Sequence, residues 1–228
     1  MRSPRVSVRH IGNEREHVAI IDDFAADPDA LRTAAASHRF ESAGRHYPGV
    51  KAPLPESYLR DQGPVIGAVL REVFGISAKV AVLEARFSIV VTPAAALTLE
   101  QRLPHVDAIE PGRLALVHYL VPARTDGTGF YRHRSTGFET VDQHRGPAYY
   151  AALNAELKGQ PPASAFIAGD TPLFQQTACV DGVYNRAVLY RSCVLHSGAI
   201  SPATALPVDP LTGRLTVTGF FASQRTGG

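Results

Sequence analysis

From Lys79 onward the chain is written in short runs rich in β-branched and aromatic residues that alternate with turn residues. The runs cover 79–91, 97–103, 113–121, 129–134, 172–180, 186–195 and 214–222. So many short strands with turn signals between them restrict the fold to an all-β sandwich or barrel. One helix interrupts them at about 147–158, where Pro147 can occupy the first helical turn and Gly159 can end it. The first third reads differently. Val18 to Phe24 forms an apolar strand, and Asp27-Pro28-Asp29 then supplies an N-cap, a proline at the first helical position and an early acid. A helix to about His38 follows from that start. Glu41 to Pro55 reads as a loop. Leu59, Ile66, Val69, Leu70 and Val73 recur at helical spacing over 57–74, where Gly63-Pro64 should interrupt or restart the helix. The expectation is one α+β, mainly β domain over 1–228. Residues 1–78 are helical and loop support, and 79–225 are the core, a jelly-roll or double-stranded β-helix of the cupin type.

At 228 residues with 45% hydrophobic and 19% charged side chains, the chain has the composition of a folded domain and not of a disordered one. A net charge of +2 without a Lys/Arg run argues against nucleic acid as a partner. Cys179 and Cys193, 14 residues apart, read as two reduced, partly buried thiols. The N-terminus has no apolar leader segment, and the longest apolar stretch, Val80 to Val91, is broken by Glu84 and Arg86. No membrane span and a cytoplasmic location are therefore expected. Nothing in the sequence sets the oligomeric state.

Within the β-rich region four residues stand out: His105, Asp107, His196 and Arg214. With nine histidines and eleven aspartates, composition alone gives about 0.4 His-x-Asp triplets, so the order of the set carries more than any one member. A two-residue spacing on an extended segment points both side chains to one face, which suits two ligands on one metal. Two imidazoles and a carboxylate are the ligand set of facial-triad iron and leave three cis positions open. The same donors also suit hydrolytic zinc. Arg214, eighteen residues after His196, alternates with Thr216 and Thr218 on one strand face. Burying a guanidinium among Leu, Val, Thr and Phe requires an anion, and a carboxylate could take a bidentate fork plus a hydroxyl.

This order resembles the 2-oxoglutarate/iron(II) dioxygenases, and further segments resemble their prolyl-hydroxylase-like branch. Asn185-Arg186-Ala187-Val188-Leu189-Tyr190 leading to Leu195-His196 looks like that branch's strand, turn and distal histidine. Asp126 to His133 looks like its Gly-rich turn into a strand, and Ile21-Asp22-Asp23-Phe24 like its N-terminal edge. The resemblance covers roughly 80–222, and 18–38 more loosely. It implies Fe(II) bound by His105, Asp107 and His196 as the catalytic centre. It also implies 2-oxoglutarate held by Arg214 with Thr216 and touched by Tyr119, with O2 as oxidant. The reaction implied is hydroxylation of an unactivated C–H, on an amino-acid or peptide side chain, with release of succinate and carbon dioxide. A zinc-dependent jelly-roll enzyme and a non-catalytic cupin-like metal- or ligand-binding module are the alternatives.

Other residues receive lesser roles. His118 reads as a barrel-wall residue, and Arg191 as a second anion contact or a surface charge. Arg132-His133-Arg134 and the nearby His144 read as a solvated turn. The loop Arg45 to Lys51 is expected to line the substrate entrance, because loops on a rigid scaffold carry specificity.

Overall fold

The computed structural model describes residues 3–44, 46–122 and 125–223. Strands β1 (Arg5–Ile11) and β2 (Glu16–Asp22) form a hairpin, followed by helix α1 (Pro28–Ala36) and by strands β3 (Glu41–Ser42) and β4 (Gly49–Pro53). Helix α2 (Ser57–Glu72) leads to β5 (Val80–Val90), β6 (Arg113–Tyr119) and β7 (Thr125–His133). Helix α3 (Gly146–Gly159) precedes β8 (Phe174–Gly182), β9 (Arg186–Arg191), β10 (His196–Gly198) and β11 (Leu215–Ser223). Eight strands form one sheet in the order β1-β2-β9-β6-β11-β5-β4-β3, and three form a second in the order β10-β7-β8. All the pairings are antiparallel.

Alternation along the central strands divides the core in two. Leu114, Leu116, Ala187, Leu189, Leu215 and Val217 turn one way and pack with Leu31 and Ala35 of α1 and Tyr58, Ile66, Val69 and Leu70 of α2. Ala115, Tyr119, Val188 and Tyr190 turn the other way and meet Phe130, Val180 and Val194 from the side of the smaller sheet. A third cluster, including Tyr131, Phe174 and Leu195 with Tyr149 and Leu153, packs α3 on the far side of that sheet.

His118 occupies the helix-facing side of β6 and is fully buried. Its Nδ1 accepts from the Tyr58 hydroxyl at 3.2 Å, and its Nε2–H donates to Asn185 Oδ1 at 3.1 Å. Asn185, held at φ 60°, also receives the Ala25 amide at 2.8 Å and donates to the Ala25 carbonyl at 2.8 Å. A side chain that can tolerate the left-handed region and offer both amide groups is needed there, which is what asparagine provides. The sequence reading of His118 as a wall residue and not a ligand agrees with this arrangement.

Four features differ from the sequence expectations. Residues 97–103 form no strand; 3₁₀ turns occupy Ala94–Ala96 and Glu100–Arg102, and the Arg102 guanidinium closes the second by donating twice to the Leu97 carbonyl. The run 186–195 is divided, with β9 ending at Arg191 and β10 starting at His196. Helix α2 continues through Pro64. Both Pro64 and Arg60, whose carbonyl loses its donor, are on the exposed side, so water can satisfy that carbonyl while the buried face holds the helix. Finally, the N-terminal segment contributes β1, β2, β3 and β4 to the large sheet as well as two helices. Its Val18 to Ile21 stretch pairs with Ala187 to Tyr190 across more than 160 residues of sequence.

Burial, opposed by the bond to Asn185, lowers the His118 imidazole to about 4. The unfolded chain, near 6.5, therefore binds a proton that the folded chain refuses. This contribution to stability is complete above about pH 6.5 and is lost as pH falls towards 4, by a few kcal/mol. Urea unfolding from pH 7 to 4.5 should show a steeper loss for the wild type than for His118→Gln; equal slopes would refute the assignment. A chain beginning at Lys79 lacks β2 and β4, which pair with one edge of β9 and of β5, and should be unfolded by circular dichroism. A cooperative melt of that fragment would contradict this account of the sheet.

Candidate metal centre and anion pocket

Backbone pairing brings the two parts of the candidate centre together. His105 and His196 exchange amide hydrogen bonds, each 2.9 Å, and the Asp107 amide donates to the Ser192 carbonyl at 2.9 Å. The His-x-Asp spacing then directs both side chains toward His196. The imidazole centroids are 4.5 Å apart. Asp107 Oδ1 lies 3.8 Å from His105 Nε2, and Asp107 Oδ2 lies 3.4 Å from His196 Nε2. One ligand atom from each of the three falls within 4.8 Å of the others, the only such group of three or more among the described residues.

The second contacts of these side chains define their chemistry. His196 is buried, with Tyr190 against its ring at 4.7 Å. Its Nδ1–H donates to the Val194 carbonyl at 3.0 Å, which leaves Nε2 as a bare acceptor in the neutral ring. Asp107 Oδ2 is buried without a hydrogen-bond partner. Two acceptors 3.4 Å apart repel unless a cation or a shared proton lies between them, so the donor set fits a metal. Desolvation, then the neighbouring His196, lower the His105 imidazole to about 4, with Asp107 opposing. The side chain keeps 52% of its exposure, so the desolvation part is milder than in a closed core. The direction is that required of a ligand, a ring without its second proton at neutral pH.

Arg214 lies just before β11 and is only 7% exposed. Its Nη2 donates to the carbonyls of Asp126 at 3.2 Å and Gly127 at 3.0 Å, whereas Nε is buried without a partner. The Tyr119 ring lies 5.9 Å from the guanidinium carbon. The Tyr119 hydroxyl is engaged with Thr128 Oγ1 at 2.6 Å. Thr216 is buried on the same face, and its hydroxyl donates to the Ser88 carbonyl at 3.2 Å. Gly127 can have no side chain, since a Cβ would lie 1.7 Å from the Val180 carbonyl oxygen. The Gly-rich run thus sets the backbone that receives Arg214.

The remaining sequence readings divide. Arg191 pairs with the Glu16 carboxylate at 3.1 Å and lies over Phe74. Arg132-His133 is no solvated turn. Arg132 is hydrogen-bonded to the buried Glu139 at 2.7 Å through Nε, and fully buried His133 bridges Thr136 at 2.9 Å and Glu156 at 2.8 Å. Strand β7 turns His133 toward Tyr149 and Glu156 of α3, and Arg132 toward Glu139 and Gln175. Of the entrance loop, Arg45 lies outside the described residues. Tyr47 sits beside Arg214, Thr216 and Ser88, where burial raises its phenol and the guanidinium opposes that rise. Both cysteines are free; Cys179 is exposed and Cys193 half-buried.

Sequence reasoning missed a reciprocal clamp behind the centre. The Glu139 carboxylate accepts from the amides of Asn13 and Glu14, 2.9 Å each, while the Glu14 carboxylate accepts from the Glu139 amide at 3.0 Å. Arg145 joins Glu14 at 2.7 Å. The Glu139 carbonyl receives the Leu195 amide at 2.8 Å, next to His196. Two glutamates 125 residues apart carry no local signal of pairing.

No curated protein matches the sequence. Among solved structures, HygX from Streptomyces hygroscopicus, with nickel, 2-oxoglutarate and hygromycin B bound, is 12% identical with a TM-score of 0.52. The alignment covers 91% of this chain and 83% of that one. The non-heme α-ketoglutarate-dependent epimerase SnoN from nogalamycin biosynthesis is 11% identical with a TM-score of 0.49, over 92% and 79% of the two chains. At such identities the likeness to HygX is one of fold, that of a mainly β protein with antiparallel sheets. A sequence family matches over residues 2–221, nearly the whole chain, and the protein therefore belongs to the family of unknown function DUF6445.

Proposed function

We propose that this protein is an Fe(II)- and 2-oxoglutarate-dependent dioxygenase of the prolyl-hydroxylase-like branch, with its two sheets forming a jelly-roll around the site. The substrate class proposed is an unactivated C–H on an amino-acid or peptide side chain. One observation carries the reading. Four buried side-chain atoms lack partners among the described residues, and two of them are Asp107 Oδ2 and Arg214 Nε. An acceptor that needs a cation and a donor that needs an anion are the complement of a metal ion plus a dicarboxylate.

In this reading His105, Asp107 and His196 hold the metal through Nε2 atoms and the carboxylate. The Val194 carbonyl fixes the His196 tautomer, and Tyr190 restrains its ring. Arg214 orients the distal carboxylate of the co-substrate, with the Tyr119 ring as a wall. Thr216 can assist only by turning its hydroxyl from the Ser88 carbonyl. When bound, iron, 2-oxoglutarate and O2 supply the oxidising chemistry, coupling decarboxylation to succinate with hydroxylation of the substrate. The protein contributes binding, orientation and exclusion of water. The nickel and 2-oxoglutarate of HygX support the same reading by analogy of fold.

Anaerobic titration with Fe(II) and then 2-oxoglutarate, read by the weak visible charge-transfer absorption, tests the proposal. One equivalent of iron and succinate formation in air are expected; zinc in place of iron, or no succinate, would defeat it. Arg214→Ala should weaken 2-oxoglutarate by about 30- to 1000-fold, from the roughly 2–4 kcal/mol of a charge-assisted pair, with iron binding nearly intact. Arg214→Lys should recover only part, because an ammonium lacks the fork. Unchanged 2-oxoglutarate affinity in Arg214→Ala would remove the basis for a dioxygenase. Asp107→Asn should abolish iron binding yet raise the melting temperature of the metal-free protein, since the amide can donate to His196 Nε2. A lower melting temperature would mean the two acceptors are not in conflict.

A further inference from the structure

We propose a second cation site on the β1–β2 hairpin, formed by His10 and His17 and suited to a late first-row divalent metal. The two residues are direct partners across the antiparallel pair, and their Nε2 atoms are 3.2 Å apart. Two imidazole nitrogens bound at about 2.0–2.1 Å stand about 2.9 Å apart on an octahedral metal and about 3.3 Å apart on a tetrahedral one. The observed separation falls between these limits. Small rotations about the soft terminal torsions of two surface rings would turn both lone pairs onto one point.

The hairpin holds this spacing before any metal arrives. Its register runs unbroken from Arg5↔Asp22 to Ile11↔Glu16. Its tip is fixed by the Glu139 carboxylate, and Gly12 at φ +61° has no room for a side chain against that carboxylate. The His17 ring rests edge-on near Phe74 at 6.5 Å, which leaves the His10 side open. Arg191 lies over the same Phe74 and is already paired with Glu16. Two imidazole nitrogens are borderline-soft donors, so hard oxygen-seeking cations are disfavoured. Nickel, copper and zinc, which bind neutral imidazole, are the class that fits. Two imidazoles leave the other coordination positions to water or to a group from another molecule.

The pair faces the helix-covered side of the large sheet, whereas His196 lies with β10 in the smaller one, so the two sites can be tested separately. The probe is Ni(II), titrated into the full chain by calorimetry and followed by the imidazole NMR signals. Two equivalents are expected for the wild type, the second perturbing the His10 and His17 signals. His10→Ala and His17→Gln, both at hairpin positions outside the core, should each melt like the wild type, keep the first equivalent and lose the second. Persistence of the second equivalent in both variants, or a wild type whose only equivalent is lost in His105→Ala, would overturn the proposal. A single equivalent lost in His10→Ala but kept in His105→Ala would uphold the hairpin site and remove the triad instead.

Discussion

The central strands β6, β9 and β11 bear apolar side chains on both faces, so the large sheet cannot leave either face in water. Leu114, Leu116, Leu189 and Val217 recruit α1 and α2, while Ala115, Val188 and Tyr190 recruit the three-stranded sheet. Burying one large side chain is worth about 1.5–3 kcal/mol, a gain offset largely by the entropy of ordering the chain. The candidate centre lies on the second face, where buried polar groups replace the apolar ones. At one end the apolar residues give way to Tyr119, Thr128, Thr216 and Arg214, and the turn between β9 and β10 delivers His196 there.

The parts of this arrangement governed by local periodicity were legible in the sequence. Alternation placed Arg214, Thr216 and Thr218 on one face, and the two-residue spacing placed His105 and Asp107 together. The N-cap and proline of α1 and the Pro147 start of α3 were local as well. The meeting of His105 with His196 rests on a backbone bridge over ninety residues long, and only resemblance to a known family suggested it. Residues 97–103 carried an apolar pattern that local side-chain bonds override: Thr98 and Gln101 accept each other's amides, and Arg102 folds back on the Leu97 carbonyl. Pro64 failed to break α2 because its cost falls on the solvent side. Arg132 and His133 looked like surface residues because nothing nearby in sequence reveals Glu139 or Glu156.

The Glu14–Glu139 clamp shows how charge can be buried at low cost in a site of this kind. Each carboxylate accepts backbone amides and meets an arginine, so neither depends on one partner alone. Its position beside Leu195 means that the hairpin tip, together with the His105–His196 bridge, fixes the course of the chain entering β10. The geometry of the candidate centre is therefore set in part from outside.

The pairing of β2 with β9 has a consequence for the birth of the protein. During synthesis the N-terminal hairpin emerges first, and the strand that covers its inner edge follows only after more than 160 further residues. Until then β2 presents Val18 to Ile21 and an open row of backbone donors and acceptors to the cell. Such an edge is a template for pairing with other chains. Loops of that length close slowly, so the growing chain spends most of its synthesis with its central sheet unassembled. In the interval between translation and closure that edge stays open to pairing with other chains.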